Sequence, residues 1–243
     1  MLKSQLKKFR KIVFIFIFFF YLISNNLAIG KNKTNDFNKE IENSINNREL
    51  NLLKTYFNTK ESSKLIKRIE KILDKFPNSK WDIKNINTNN DEFNLFKIKI
   101  TGSNIIDKKK FILESNFDYS FSMEEGKISQ SSVSNLLTTI RNDQKNIDVI
   151  FSIPNQVLTG SKYDIDIIIQ KPLDNIMVAG GIISHQEESV IPQEITLEPL
   201  VAGGIFKMTR APSKPGIQIW SGIIAHPEGM ITFTKTVDIV ENL

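Results

Sequence analysis

The chain of 243 residues contains no cysteine and two histidines. Without thiols there are no disulfides, thiolate metal sites, cysteine nucleophiles or cysteine-linked lipid anchors, so the fold stands on packing alone. Two histidines, His185 and His226, leave a zinc site dependent on both plus carboxylates such as Glu187 or Glu188. Long apolar runs are also missing. The longest candidate, Ile12 to Ile23, is 12 residues, short of the ~20 that span a bilayer core. There is no acid before Asp36 and no Gly-x-Ser-x-Gly elbow, phosphate loop or EF-hand loop.

What stands at the N-terminus reads as an export signal. Lys3, Lys7, Lys8, Arg10 and Lys11 precede the apolar run, and Ala28-Ile29-Gly30 follows it with cleavage-site spacing. Removing residues 1–30 lowers Lys+Arg from 32 to 27, against 27 Asp+Glu. The pI of 9.2 thus belongs to the precursor, and a nucleic-acid partner is not expected. The expected location is the periplasm or a thylakoid lumen. Contact with a membrane is expected only through an uncleaved residue 12–29 segment. A cysteine-free exported chain fits such compartments better than a disulfide-dense secretory route.

The remaining 213 residues exceed one average domain. Residues 31–36 are polar and read as a disordered tail. Phe37, Ile41 and Ile45 recur every four residues, and Leu50 to Phe57 follows after a break. Leu65, Ile66, Ile69, Ile72, Leu73 and Phe76 form one stripe at helical spacing, with Ser62 or Ser63 as cap and Pro77-Asn78 as stop. The charged face opposite, which includes Lys64, Lys67 and Arg68, reads as solvated. From Trp81 the period becomes two. Strands are expected over 80–86, 93–101 and 110–122, with a turn at 102–108 and a hairpin at Glu124-Glu125-Gly126. Asparagine is abundant and reads as a compositional bias, not as structure.

Arg141 to Asn146 is polar and reads as a linker, dividing an α+β region at 37–140 from an all-β region at 147–240. Strands are expected over 147–154, 163–170, 176–183, 194–197, 204–208, 217–225 and 231–240, in the pitch of an immunoglobulin-like sandwich. Gly180-Gly181 and Gly203-Gly204 lie inside β sequence, where glycine signals bulges or close backbone approach. No internal repeat is visible.

Four segments carry a family resemblance. Phe76-Pro77-Asn78-Ser79-Lys80-Trp81, Ile98-Lys99-Ile100-Thr101-Gly102 and Glu125-Gly126-Lys127-Ile128 resemble the nuclear-transport-factor-2-like (cystatin-like) cone fold. Val157 to Ile165 with Val178-Ala179-Gly180-Gly181 resembles exported cyanobacterial proteins of uncharacterised activity that join such a domain to an Ig-like module. The resemblance implies an α+β cone followed by an Ig-like sandwich. Fold of this kind does not choose between enzyme and binding module.

Site expectations are correspondingly spare. A cone-fold enzyme needs a carboxylate base and an acid or tyrosine, for which Glu114, Asp118 and Tyr119 (or Tyr56) are the candidates. Glu114, Asn116, Asp118 and Ser120 also alternate as a water-facing strand face does. His185 and His226 read as exposed loop residues, and Asp164, Asp166 and Asp174 as outward acids rather than a calcium site. Partner surfaces are expected on the loops 184–192 and 211–216, through His185, Pro212 and Pro215. Trp220 belongs either to the core or to an interface, because its strand is apolar on both sides. No cofactor or metal is implied. The reading is an exported, non-enzymatic binding or scaffolding protein with a protein or small-molecule partner, the rival being an enzyme or carrier using a cavity in the first domain.

Overall fold

The computed structural model describes residues 37–86, 94–142, 147–170, 177–186, 194–201, 203–227 and 229–242. Among the described residues the chain is mostly β, 60% strand, with three helices. This corrects the expected pairing of an α+β cone with an Ig-like sandwich. The strands outrun their sequence signals: β2 (Asn94–Ile106), β3 (Lys109–Glu124) and β4 (Lys127–Arg141) hold 13, 16 and 15 residues. Two compact units divide after Leu136. Arg141, placed in the expected linker, is the last residue of β4 and pairs with Ile231; residues 143–146 lie outside the described residues, as do the export signal and the 31–36 tail.

In the first unit, helices α1 (Phe37–Asn46), α2 (Leu50–Tyr56) and α3 (Thr59–Lys75) precede an antiparallel sheet ordered β1-β2-β3-β4, β1 being Lys80–Ile86. Helix α3 starts before the expected serine cap. The Ser62 amide already bonds the Asn58 carbonyl at 2.9 Å, closing the first turn four residues earlier. Its apolar stripe is buried through Ile66, Ile69, Ile72 and Leu73, and Phe76 behind it is fully enclosed. The expected turn at 102–108 shrinks to Asp107-Lys108, both with positive φ. The strand continues through Gly102, where an added Cβ would lie 3.0 Å from that of Ser79; glycine here marks a close approach.

In the second unit, Leu137 to Arg141 of β4 pair with β12 (Gly229–Val240), which continues to β11 (Gly216–His226), β8 (Ala179–Gln186) and β9 (Glu198–Pro199). Strand β6 (Gln156–Leu158) lies parallel to the end of β12. A second sheet is ordered β10-β7-β5, from Gly204–Arg210, Lys162–Ile169 and Val149–Ser152. Its inward row, Tyr163, Ile165, Ile167 and Ile169, packs in one buried cluster with Trp220, Ile224, Ile231, Phe233 and Val237 of the larger sheet. This unit is therefore a β-rich two-sheet domain. Glycine is placed by packing here too. Gly222 stands opposite Phe233, whose ring would lie 2.3 Å from an added Cβ, and Gly181 stands where a Cβ would meet the Thr196 carbonyl at 2.0 Å.

Candidate functional site

Strand β1 alternates, so Trp81 and Ile83 turn to the same buried side. It is also an edge strand among the described residues, and bare edges are hazards that proteins cover. Helix α1 covers it with polar side chains at four-residue spacing. Asn38 donates to the Ile83 carbonyl at 2.8 Å, Glu42 accepts from the Ile83 amide at 2.8 Å, and Asn46 pairs with both backbone groups of Trp81 at 2.9 Å. Two turns of helix thus act as a neighbouring strand, while Ile41 and Ile45 face inward. At the other end of α1, Phe37 packs within 6.3 Å of Phe96 and 6.2 Å of Phe121.

Held this way, α1 and α3 do not fill the space above the sheet. A cavity of about 60 Å³ remains, lined by Ile41 and Ile45, Leu65 and Ile69, and sheet residues including Ile98, Phe117 and Tyr119. Three lining residues carry a polar group: Arg68, Trp81 and Tyr119. The Trp81 side chain is buried, and its indole N–H finds no acceptor among the described residues. A buried donor without a partner costs about 1–3 kcal/mol, so it marks a place where an acceptor brought from outside would be rewarded.

The candidate catalytic residues do not converge on this cavity. Tyr119 lines it, buried. Asp118, one residue away, turns to the opposite sheet face and accepts from Asn135 at 2.5 Å. Glu114 is exposed, in an open depression with Lys80 and Lys110. Tyr56, half-buried on α2, stacks edge-on against Phe37 at 5.4 Å. Burial, and then Glu40, push its hydroxyl pKa up.

The remaining candidates lie in the second unit. Trp220 is 1% exposed and donates to the Tyr163 hydroxyl at 2.9 Å, which donates to Gln218 Oε1 at 2.7 Å. The indole is core, not a partner surface. Burial raises the Tyr163 pKa. Both histidines depart from the exposed-loop reading. They sit on strands and are buried, because β8 and β11 run on to include them. His185 lies opposite Ile219 and His226 opposite Gly229, at opposite ends of β11, so they share no metal. Among the described residues no cluster of His, Asp or Glu is arranged for a metal ion. Among the described residues neither ring nitrogen of His185 has a partner, and burial lowers its pKa. Pro212 is half-buried and Pro215 exposed, on the loop between β10 and β11. Loop residues 187–193, with Glu187 and Glu188, and Asp174 lie outside the described residues. The outward side chains of β10, Phe206 and Met208, stand opposite Asp166 and Asp164, so that face alternates apolar and acidic rather than forming one apolar patch.

Arg68 and Trp81 are the cavity residues that sequence reasoning passed over. Trp81 was visible as the inward partner of Ile83. Arg68 lies three residues after Leu65 and four before Ile72, at the margin of the apolar stripe rather than on the solvated face.

Comparison with known proteins finds one family match. Residues 144–240 fit the family described as Domain of unknown function (DUF8623). That match covers the two-sheet domain and leaves the cavity-bearing unit outside it. No curated protein and no solved structure matches the chain.

Proposed function

We propose that this chain is an exported, non-enzymatic binding protein whose first unit seats a small, largely apolar molecule between helices α1 and α3 and the sheet. One observation carries the reading: an apolar cavity of about 60 Å³ whose lining residues include Trp81, the indole of which has a buried N–H without an acceptor among the described residues. Apolar walls with a single convergent polar group are how proteins fix the orientation of an apolar ligand. Export is supported by the basic segment, the short apolar run and the Ala-x-Gly spacing. A binding role is favoured over catalysis because the acids Asp118 and Glu114 lie off the cavity.

Mass spectrometry of solvent extracts from the natively purified protein tests this. An apolar small molecule at near-equimolar yield is expected from the wild type and not from Ile98→Phe, which fills the cavity. Extracts with no such molecule, or equal yields from both proteins, would count against it.

A further inference from the structure

We infer that the open edge of β10 takes up an extended segment of a partner protein as a further strand, one with apolar residues opposite Phe206 and Met208 and an acidic residue opposite Lys207. The site lies in the second unit and stands independently of the cavity.

Backbone parity defines the edge. Strand β10 pairs with β7 on one side, and among the described residues no strand is hydrogen-bonded to the other. At the two ends of the pair, the Ile169 amide bonds the Gly203 carbonyl at 2.9 Å and the Ala211 amide bonds the Ser161 carbonyl at 2.8 Å. Bonded positions alternate in an antiparallel pair, so the odd residues from Gly203 to Ala211 serve β7. The N–H and C=O groups of Phe206 and Met208 therefore point to the open side. Their side chains are 54% and 66% exposed, and Lys207 between them is exposed as well. Proteins ordinarily blunt an edge by shortness, charge or proline. Two large apolar side chains at its outward positions instead offer contact to an added strand, whose main chain would supply affinity and whose alternate side chains would supply specificity.

Side chains fix the partner's chemistry. Phe206 and Met208 lie on the outward face, opposite Asp166 and Asp164 of β7. A strand laid beside them gains from apolar residues on that face and loses from acids. Lys207 lies on the other face, its Nζ 5.6 Å from the centre of the Trp220 ring. Across a strand pair, opposite charge is favoured and like charge opposed. A second copy of β10, aligned antiparallel along its whole length, would set one Lys207 against the other. The lysine thus guards the edge against self-pairing and admits a strand that brings an acid. Arg210 is turned to its own chain, donating to the Gly160 carbonyl at 2.7 Å.

Fluorescence polarisation of the purified protein with a labelled peptide, Ser-Thr-Val-Glu-Val-Thr-Ser, and with its counterpart carrying lysine for glutamate separates the claims. The glutamate peptide should bind about fivefold more tightly or better, and Lys207→Glu should reverse the preference. Met208→Pro removes an amide that points away from β7, a loss an edge strand tolerates; it should abolish binding, while Met208→Val retains it. If Lys207→Glu does not fold, the order of the two peptides on wild type decides alone. Equal affinities would overturn the acidic assignment. Binding unchanged by Met208→Pro, or no saturable binding of either peptide, would overturn the edge as the docking site. A sedimenting dimer that Met208→Pro dissolves would give the edge to a second copy of the chain and overturn the partner assignment.

Discussion

Asn46 stands beside Trp81 as a neighbouring strand would. Its side-chain amide donates to the Trp81 carbonyl and accepts from the Trp81 amide, each at 2.9 Å. The pairing fixes the tryptophan backbone from outside while the indole turns toward the cavity. Asn46→Ala leaves both backbone groups of an edge strand short of partners, at about 1–3 kcal/mol for a part-buried pair. Urea denaturation should show that loss, while the exposed Asn116→Ala stays within about 0.5 kcal/mol of wild type. Equal midpoints for the two variants would remove Asn46 from the account.

The Trp220–Tyr163–Gln218 chain gives a second expectation. Trp220→Ala should cost about 3–5 kcal/mol, as for other buried aromatics. Tyr163→Phe keeps the ring and removes the hydroxyl that serves both neighbours, leaving the indole N–H and the Gln218 carbonyl unpaired, for about 1–3 kcal/mol. A Tyr163→Phe protein as stable as wild type would show that water replaces the hydroxyl.

Gly222 is expected to tolerate nothing larger than hydrogen. A methyl group there meets the Phe233 ring at 2.3 Å, and overpacking of this kind typically costs about 1–3 kcal/mol. Gly222→Ala combined with Phe233→Leu should recover part of the loss, measurable as a double-mutant cycle. Strict additivity would mean that the two positions do not press on each other.

His185 makes stability depend on pH. Burial holds its imidazole neutral, with a pKa below the ordinary 6.5. The unfolded chain then binds the proton more readily, so stability falls as pH drops below about 6.5, by up to ~1.4 kcal/mol per unit. The fall ends once pH passes below the folded-state value. Asp238 acts with the opposite sign: burial raises its pKa above 3.8, so its cost appears as pH rises through that region and is complete before pH 6.5 is approached only if the shift is modest. Urea midpoints from pH 7.5 to 5.5 should decline for wild type and flatten for His185→Leu. A decline of equal slope in both would assign the effect elsewhere.

Much of this is legible in the sequence, and the departures have physical causes. The stripe from Leu65 to Phe76 announces α3 because one face must leave water at helical spacing. The inward alternation of Trp81 and Ile83 announces β1. The role of Asn38, Glu42 and Asn46 was hidden, since polar residues four apart on a helix ordinarily face solvent, and asparagine was set down to composition. Only the packing of α1 along an open strand edge gives them partners. His185 and His226 read as loop residues in the sequence because polar residues at a strand's end look like the loop that follows. The cone expectation failed on strand length. Ser103 and Asn104 look like turn residues, yet β2 runs through them to pair with Ile112 and Phe111 of β3.

The indole region of a ¹⁵N–¹H correlation spectrum tests the ligand site most directly, because the chain has only two tryptophans. One indole N–H, that of Trp220, is already bonded to Tyr163, and the other, that of Trp81, has no acceptor among the described residues. With peaks assigned through Trp81→Phe, titration with dissolved xenon, an apolar probe that enters dry cavities, should move the Trp81 signal saturably and leave the Trp220 signal in place, and Ile98→Phe should abolish the response. A Trp81 signal that does not move at saturating xenon, or one that moves equally in Ile98→Phe, would contradict a ligand seated in this cavity.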